Sequence, residues 1–142
     1  MPAGTIRNAE QRDIAAILHL WRDAGSVPTV TDNADSLALL IEHGPGTLLV
    51  VDFDGDPVGT LIVGWDGWRG SFYRLAVHPD HRRRGIAAQL VAEGERRLQA
   101  RGARRFNAVV VGDADAANGF WEGIGYERQV NRARFIRNLR RS

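Results

Sequence analysis

The chain has 142 residues, 44% of them hydrophobic, with 19 basic against 17 acidic side chains and no cysteine. That length and apolar content suit one domain, residues 1–142, around one core, and the missing cysteines exclude disulfides, thiolate metal sites and a cysteine nucleophile. All the basic residues are arginine and none is lysine, so the pI of 9.9 reflects a lack of groups titrating above neutrality, while the net charge is only +2. A nucleic-acid-binding module, which the arginine clusters at 82–84, 104–105 and 128–141 would suggest, is therefore not expected. No apolar run approaches the roughly 20 residues of a membrane span, and residues 1–6 lack the layout of a secretory signal, so a cytoplasmic protein is expected. His19, His43, His78 and His81 have no ligand-like spacing, and no metal is expected.

In chain order, residues 5–8 read as a short strand. Asp13 is a candidate N-cap for a helix whose Ile14, Ile17, Leu18 and Trp21 keep helical spacing up to Gly25. After a loop at 26–32, a second helix is predicted over 34–43, with Leu37, Leu40 and Ile41 inward and Gly44-Pro45-Gly46 ending it. Residues 48–53 and 58–65 are β-rich runs around the turn signal Asp54-Gly55-Asp56-Pro57. A turn at 66–70 leads to a strand over 72–77. That strand ends at His78-Pro79 and passes through three arginines into a long helix over 85–101, with Ile86, Leu90, Val91 and Leu98 on one face and Gly102 as its stop. A strand over 106–111, a short helix over 115–124 capped by Gly125, and two closing strands over 126–130 and 134–139 complete the expected order. The alternation defines an α/β (α+β) domain.

The strand, the arginine-glycine loop and the helix start carry the chemistry. The first turn of a helix has unpaired N–H groups and a partial positive charge, so a loop that aims them outward makes an anion site. In Arg82-Arg83-Arg84-Gly85-Ile86-Ala87-Ala88, Gly85 permits close backbone approach, and Ala87 and Ala88 keep side chains out of the way. A pyrophosphate fits there.

The stretch Leu75-Ala-Val-His-Pro-Asp-His-Arg-Arg-Arg-Gly-Ile-Ala87 resembles the acyl-CoA-binding motif of the GNAT N-acyltransferase superfamily, Arg/Gln-x-x-Gly-x-Gly/Ala, with Arg82, Gly85 and Ala87 in the signature positions. Downstream, Ala117-Asn-Gly-Phe-Trp-Glu-Gly-Ile-Gly-Tyr126 resembles the family segment Ala-x-x-Phe-Tyr-x-x-x-Gly-Phe. Element order agrees across nearly the whole chain, and Gly64-Trp-Asp-Gly-Trp-Arg-Gly70 is similar to small bacterial members of the YpeA type. The resemblance implies a GNAT fold: a mixed, mostly antiparallel sheet of six to seven strands with about four helices, splayed at the acyl-CoA site. It also implies an N-acetyltransferase that takes acetyl-CoA as donor and an amine of a small molecule, peptide or protein as acceptor.

Residue by residue, the resemblance implies that backbone groups of Leu75 and Val77 pair with the pantetheine arm and that N–H groups of Arg83, Arg84, Gly85, Ile86, Ala87 and Ala88 seat the pyrophosphate, with the arginine side chains near the phosphates. Relatives carry a tyrosine acid where this chain has Trp121, whose indole N–H donates a hydrogen bond but releases no proton at biological pH. Tyr126 and Tyr73 are the substitute acids. Relatives also carry a cofactor-contacting Asn where this chain has Ala114, and Asn118 is the candidate replacement. Asp66, in the loop between strands, is the first-choice base, ahead of Glu122 and His78. Trp21, Trp65, Trp68 and Phe72 are candidates for the acceptor pocket. The departures at Trp121 and Ala114 leave open a non-catalytic acyl-CoA binder, and the closing strand over 134–139 suggests a homodimer.

Overall fold

In a computed structural model of the chain, residues 4–110 and 115–139 are described, and the chain divides into two compact units at residues 109/110. The first unit is built on one five-stranded sheet in the order β1-β2-β3-β4-β5. Its elements are β1 (Thr5–Asn8), α1 (Ile14–Asp23), α2 (Ala34–His43), β2 (Leu48–Phe53), β3 (Asp56–Trp65), β4 (Gly70–Val77), α3 (Ile86–Arg101) and β5 (Phe106–Ala108). The first four strands are antiparallel neighbours and β5 joins β4 in parallel, Gly70 opposite Phe106 and Phe72 opposite Ala108.

Local chemistry accounts for most of these boundaries. Asp54 and Gly55 both have positive φ, 54° and 91°, which closes the β2–β3 hairpin in two residues. Asn33 caps α2 by accepting the Ser36 N–H at 2.9 Å. Asp13, expected to cap α1, makes no side-chain cap bond to that helix. Its carboxylate is taken by Arg7, at 2.7 and 2.9 Å, and by the Glu10 N–H at 2.7 Å, so a charged bidentate pair has outcompeted the cap.

The sheet is covered on both faces, and for that reason Leu48, Leu49, Val50 and Val51 are all buried rather than alternately so. Ile17, Leu20, Trp21 and Leu37 of α1 and α2 pack with Leu48, Val50 and Ala76 on one face. On the other, α3 comes close to the strands because glycines stand at the contact, Gly94 on the helix and Gly59 on β3. A Cβ on Gly94 would stand 2.7 Å from Phe72 Cε1 and 3.1 Å from Val63 Cγ2, and a Cβ on Gly59 would meet Ile86 at 2.9 Å.

The second unit contains α4 (Asp115–Gly123), ended by Gly125 at φ 99°. Trp121 is buried, with its ring edge-on to Phe120 at 5.5 Å and to Tyr126 at 4.8 Å. The closing strands expected over 126–130 and 134–139 do not form, and among the described residues the sheet has five strands rather than six to seven. A strand exists only through its partner's backbone. No ladder is made by these runs, and Val130, Phe135, Ile136 and Leu139 stand 68–92% exposed. Val111 of the expected fifth strand and Ala114 lie outside the described residues.

Two consequences are measurable. Gly94→Val overpacks the α3–sheet contact and should cost about 1–3 kcal/mol of unfolding free energy in urea titrations. Contacts with Arg7, and then the Glu10 N–H, hold the Asp13 carboxyl below its ordinary value. Its contribution is therefore complete above the unfolded pKa of about 3.9 and lost as pH falls through the lower folded value. Stability measured from pH 6 to pH 2 should fall less steeply below pH 4 in Asp13→Asn than in the unaltered chain, from a starting point about 2 kcal/mol lower.

Candidate functional site

β4 changes character halfway along. Its ladder with β5 covers only Gly70–Phe72, extended by the Val109 N–H donating to the Phe72 carbonyl at 3.3 Å. On the other side its register with β3 slips: Thr60 lies opposite Ala76 and Ile62 opposite Tyr73, so Leu61 faces both Arg74 and Leu75. This is a β-bulge, and it reverses the alternation of side chains. Phe72 faces α3, whereas Ala76, four residues on, joins the α1 core.

The bulge is held by a buried chain of hydrogen bonds. Arg74 has a left-handed backbone, φ 52°, a conformation costly to a side chain with a Cβ. Fully buried Thr60 donates its hydroxyl to the Arg74 carbonyl at 2.9 Å and accepts the Trp21 indole N–H at 2.8 Å. The Arg74 guanidinium grips Asp32, reaches the Val27 carbonyl at 3.1 Å and lies 5.5 Å from the Trp21 ring centroid. The loop between α1 and α2 is thereby tied to the bulge.

Beyond the bulge, the His78 N–H donates to the Val58 carbonyl at 2.8 Å. By strand alternation the N–H groups of Leu75 and Val77 therefore point away from β3, to the edge that β5 leaves open. A 3-10 turn over Pro79–His81 follows, fixed by the Asp80 N–H donating to His78 Nδ1 at 3.1 Å. Arg83 and Gly85 are both left-handed, φ 65° and 76°, and α3 begins with no side-chain cap. The first backbone N–H turned back into the helix belongs to Gln89, bonded to the Gly85 carbonyl at 3.0 Å, so those of Ile86, Ala87 and Ala88 face outward. A Cβ built on Gly85 meets nothing within 4 Å. The arrangement is a strand edge whose N–H groups have no ladder partner among the described residues and which leads into a positive helix terminus, a surface able to hold an extended ligand with an anionic end.

The side chains around it differ in duty. Arg82 turns inward to the carbonyls of Val77 at 3.3 Å and Ala24 at 3.4 Å and braces the loop. Arg84 lies 3.4 Å from His81 Nδ1, and Arg83 is exposed. Ile86 buries its side chain against the sheet, so only its N–H faces the loop.

Asp66 is not at this site. It sits at the opposite end of β4, whose eight residues span roughly 25 Å. There its Oδ1 accepts the Trp68 and Arg69 N–H groups at 2.8 and 2.7 Å, which holds the carboxyl below its ordinary range. A turn-closing carboxylate with a lowered pKa is a poor base. Trp21 and Phe72 are core residues on opposite faces of the sheet, and Trp68 stands by Asp66. None of these three is free to line a pocket at the open edge of β4. Asn118, Trp121, Glu122 and Tyr126 belong to the second unit. Thr60, Asp32 and Arg74 were not singled out by sequence reasoning, although the apolar positions Phe72, Leu75 and Val77 change parity where the bulge lies.

A model of the GNAT acetyltransferase family matches residues 14–126. The chain is 37% identical over 124 residues to an acetyltransferase of Yersinia pestis, covering 87% of this chain and 88% of that one. In fold it is similar to Ard1 from Thermoplasma volcanium, with a TM-score of 0.81 at 19% identity over 91% of this chain and 86% of that one. It is also similar to the PaiA N-acetyltransferase from Thermoplasma acidophilum, solved in complex with coenzyme A, with a TM-score of 0.80 at 14% identity over 91% and 92% of the two chains. The class is that of acyltransferases built on an open-edged mixed sheet. The chain belongs to the GNAT acetyltransferase family and is an enzyme of that kind.

Thr60→Val keeps the shape and removes the hydroxyl, which leaves the Trp21 N–H without its acceptor and the Arg74 carbonyl without its donor. A loss of about 1–3 kcal/mol is expected in urea unfolding followed by tryptophan fluorescence, and Thr60→Ser should recover most of it.

Proposed function

We propose that the chain is an acetyl-CoA-dependent N-acetyltransferase that passes an acetyl group directly to a primary amine of a small molecule, peptide or protein. The observation that carries this is the uncapped start of α3 behind left-handed Gly85, continuous with the open edge of β4. Backbone N–H groups of residues 83–88 hold the pyrophosphate, and those of Leu75 and Val77 align the pantetheine arm. The fit is supported by the open space in front of Gly85 and by the small side chains of Ala87 and Ala88. Arg83 and Arg84 add charge toward the phosphates, while Arg82 keeps the loop in shape. Acetyl-CoA supplies an activated thioester.

The protein's own contribution is geometric and electrostatic. N–H groups freed at the bulge around Arg74 and Leu75 are aimed at the open edge of β4, where they stabilise negative charge developing on an acyl oxygen. The acceptor amine attacks in its neutral form, and its proton leaves through ordered water, with proximity supplying most of the rate. Trp121 serves through its indole N–H as a donor and Tyr126 as the acid for the leaving thiolate, with Asn118 as a further cofactor contact. In this reading residues 1–142 act as one cytoplasmic catalytic domain, supported by a family match that runs across residue 110. Exposed Phe135, Ile136 and Leu139 favour a homodimer.

Calorimetric and thermal-shift titration with acetyl-CoA tests the reading. At ligand concentrations near 100 times Kd, the unaltered protein should gain about 2.7 kcal/mol of apparent stability. Gly85→Glu puts an anion at the pyrophosphate seat and a side chain at a left-handed position, and it should abolish binding while the circular dichroism of the fold remains. Undiminished affinity in that folded variant would remove the site from this loop.

A further inference from the structure

At the end of β4 opposite loop 82–88 lies a cleft of about 270 Å³ lined by Trp68, Arg69, Gly102, Arg104 and Arg105. We propose that it is a binding site for a dianionic phosphoryl group, separate from the acetyl-CoA site. The two sites lie at opposite ends of one strand, so this inference does not depend on the function proposed above.

The argument begins with charge. Gly70 pairs with Phe106 in the parallel β4–β5 ladder, and the Gly70 N–H donates to the Arg105 carbonyl at 3.0 Å. Arg69 and Arg105 are therefore neighbours just before that pair, about one strand spacing apart, with Arg104 next in line. Like charges so placed repel. Among the described residues none of the three guanidiniums has a carboxylate within 4.0 Å, whereas Arg7, Arg12, Arg74, Arg96 and Arg97 all do. The acid nearest in sequence, Asp66, spends one carboxylate oxygen on the Trp68 and Arg69 N–H groups. At the carbonyl end of α3, the Leu98 and Gln99 carbonyls already accept the Ala103 and Gly102 N–H groups, each at 3.0 Å, so these two are not left for the arginines. Three guanidiniums with no carboxylate partner within 4.0 Å among the described residues, gathered where β4 and β5 begin, are relieved by an anion that several of them can grip at once, and planar guanidinium forks match phosphate oxygens.

The cleft also has a platform. The Arg69 guanidinium lies 3.8 Å from the Trp68 ring centroid and so covers one face of the indole, while the residue stays 67% exposed. An indole so exposed offers apolar surface to a flat or sugar-like body attached to the phosphoryl group. A volume near 270 Å³ takes a phosphate with a carrier the size of a pentose and excludes a whole coenzyme A. Gly102 at φ 106°, lacking a side chain, keeps the entrance clear.

The test follows the Trp68 indole N–H in ¹H–¹⁵N spectra, assigned with Trp68→Phe, as inorganic phosphate, ribose 5-phosphate, AMP or adenosine is added at constant chloride. Saturable shifts are expected with the three phosphate-bearing probes and none with adenosine. Arg104→Ser with Arg105→Ser should weaken binding at least tenfold, and Arg69→Gln alone should do so in the same direction should the double variant unfold. A response to inorganic phosphate equal to that of the esters assigns the site to the free ion, and tighter binding of the esters assigns it to an organic phosphate. An equal response to adenosine, or unchanged affinity in the folded arginine variants, would overturn the proposal.

Discussion

The bulge in β4 is the constraint on which the first unit depends. A regular strand of eight residues would keep Phe72 and Ala76 on the same face; here one serves the α3 core and the other the α1 core. The extra residue is accommodated by giving Arg74 a left-handed backbone, and that unfavourable conformation persists because Thr60, Trp21 and Asp32 together over-determine it. With Thr60 wholly buried, its hydroxyl both donates and accepts, so the network leaves no polar atom of its own unsatisfied.

The same irregularity accounts for the strand's two ends having different uses. Before the bulge, β4 is paired on both sides, and its start is close-packed, with no room for a Cβ on Gly70 against Leu98. After it, the strand is paired on one side only among the described residues, and it leads directly into the uncapped helix start. Close packing at one end gives a fixed scaffold on which arginines can be gathered. The open edge at the other gives backbone donors whose chemistry does not depend on side-chain identity, provided that the left-handed backbone at Gly85 is kept.

Much of the first unit was legible from the chain. The periods of α1, α2 and α3, the Asp54-Gly55 hairpin and the left-handed stop at Gly102 each rest on local physics, and each is found within a residue or two of its expected limits. The helix start behind Gly85 was legible for the same reason, since a glycine just before a run of helical period marks a boundary by local physics. Asp66 was misread because a turn carboxylate and a catalytic one have the same letter; which end of β4 the turn occupies relative to loop 82–88 follows from the direction of the strand in the sheet. The closing strands failed on the converse point: residues 126–130 and 134–139 have strand-like composition, but β structure needs a partner that composition does not supply.

The amino-acid sequence alone determined what is local: helix and hairpin positions, the helix start behind Gly85, the absence of cysteine chemistry, and the motifs that mark the GNAT family. Only the tertiary structure decided what depends on distant residues meeting. Arg74 joins Asp32 across 42 positions, Thr60 joins Trp21 across 39, and Arg69 comes beside Arg105 through a three-residue parallel ladder. Such pairings carry no local signal, because their energy exists only once the sheet has brought the partners together.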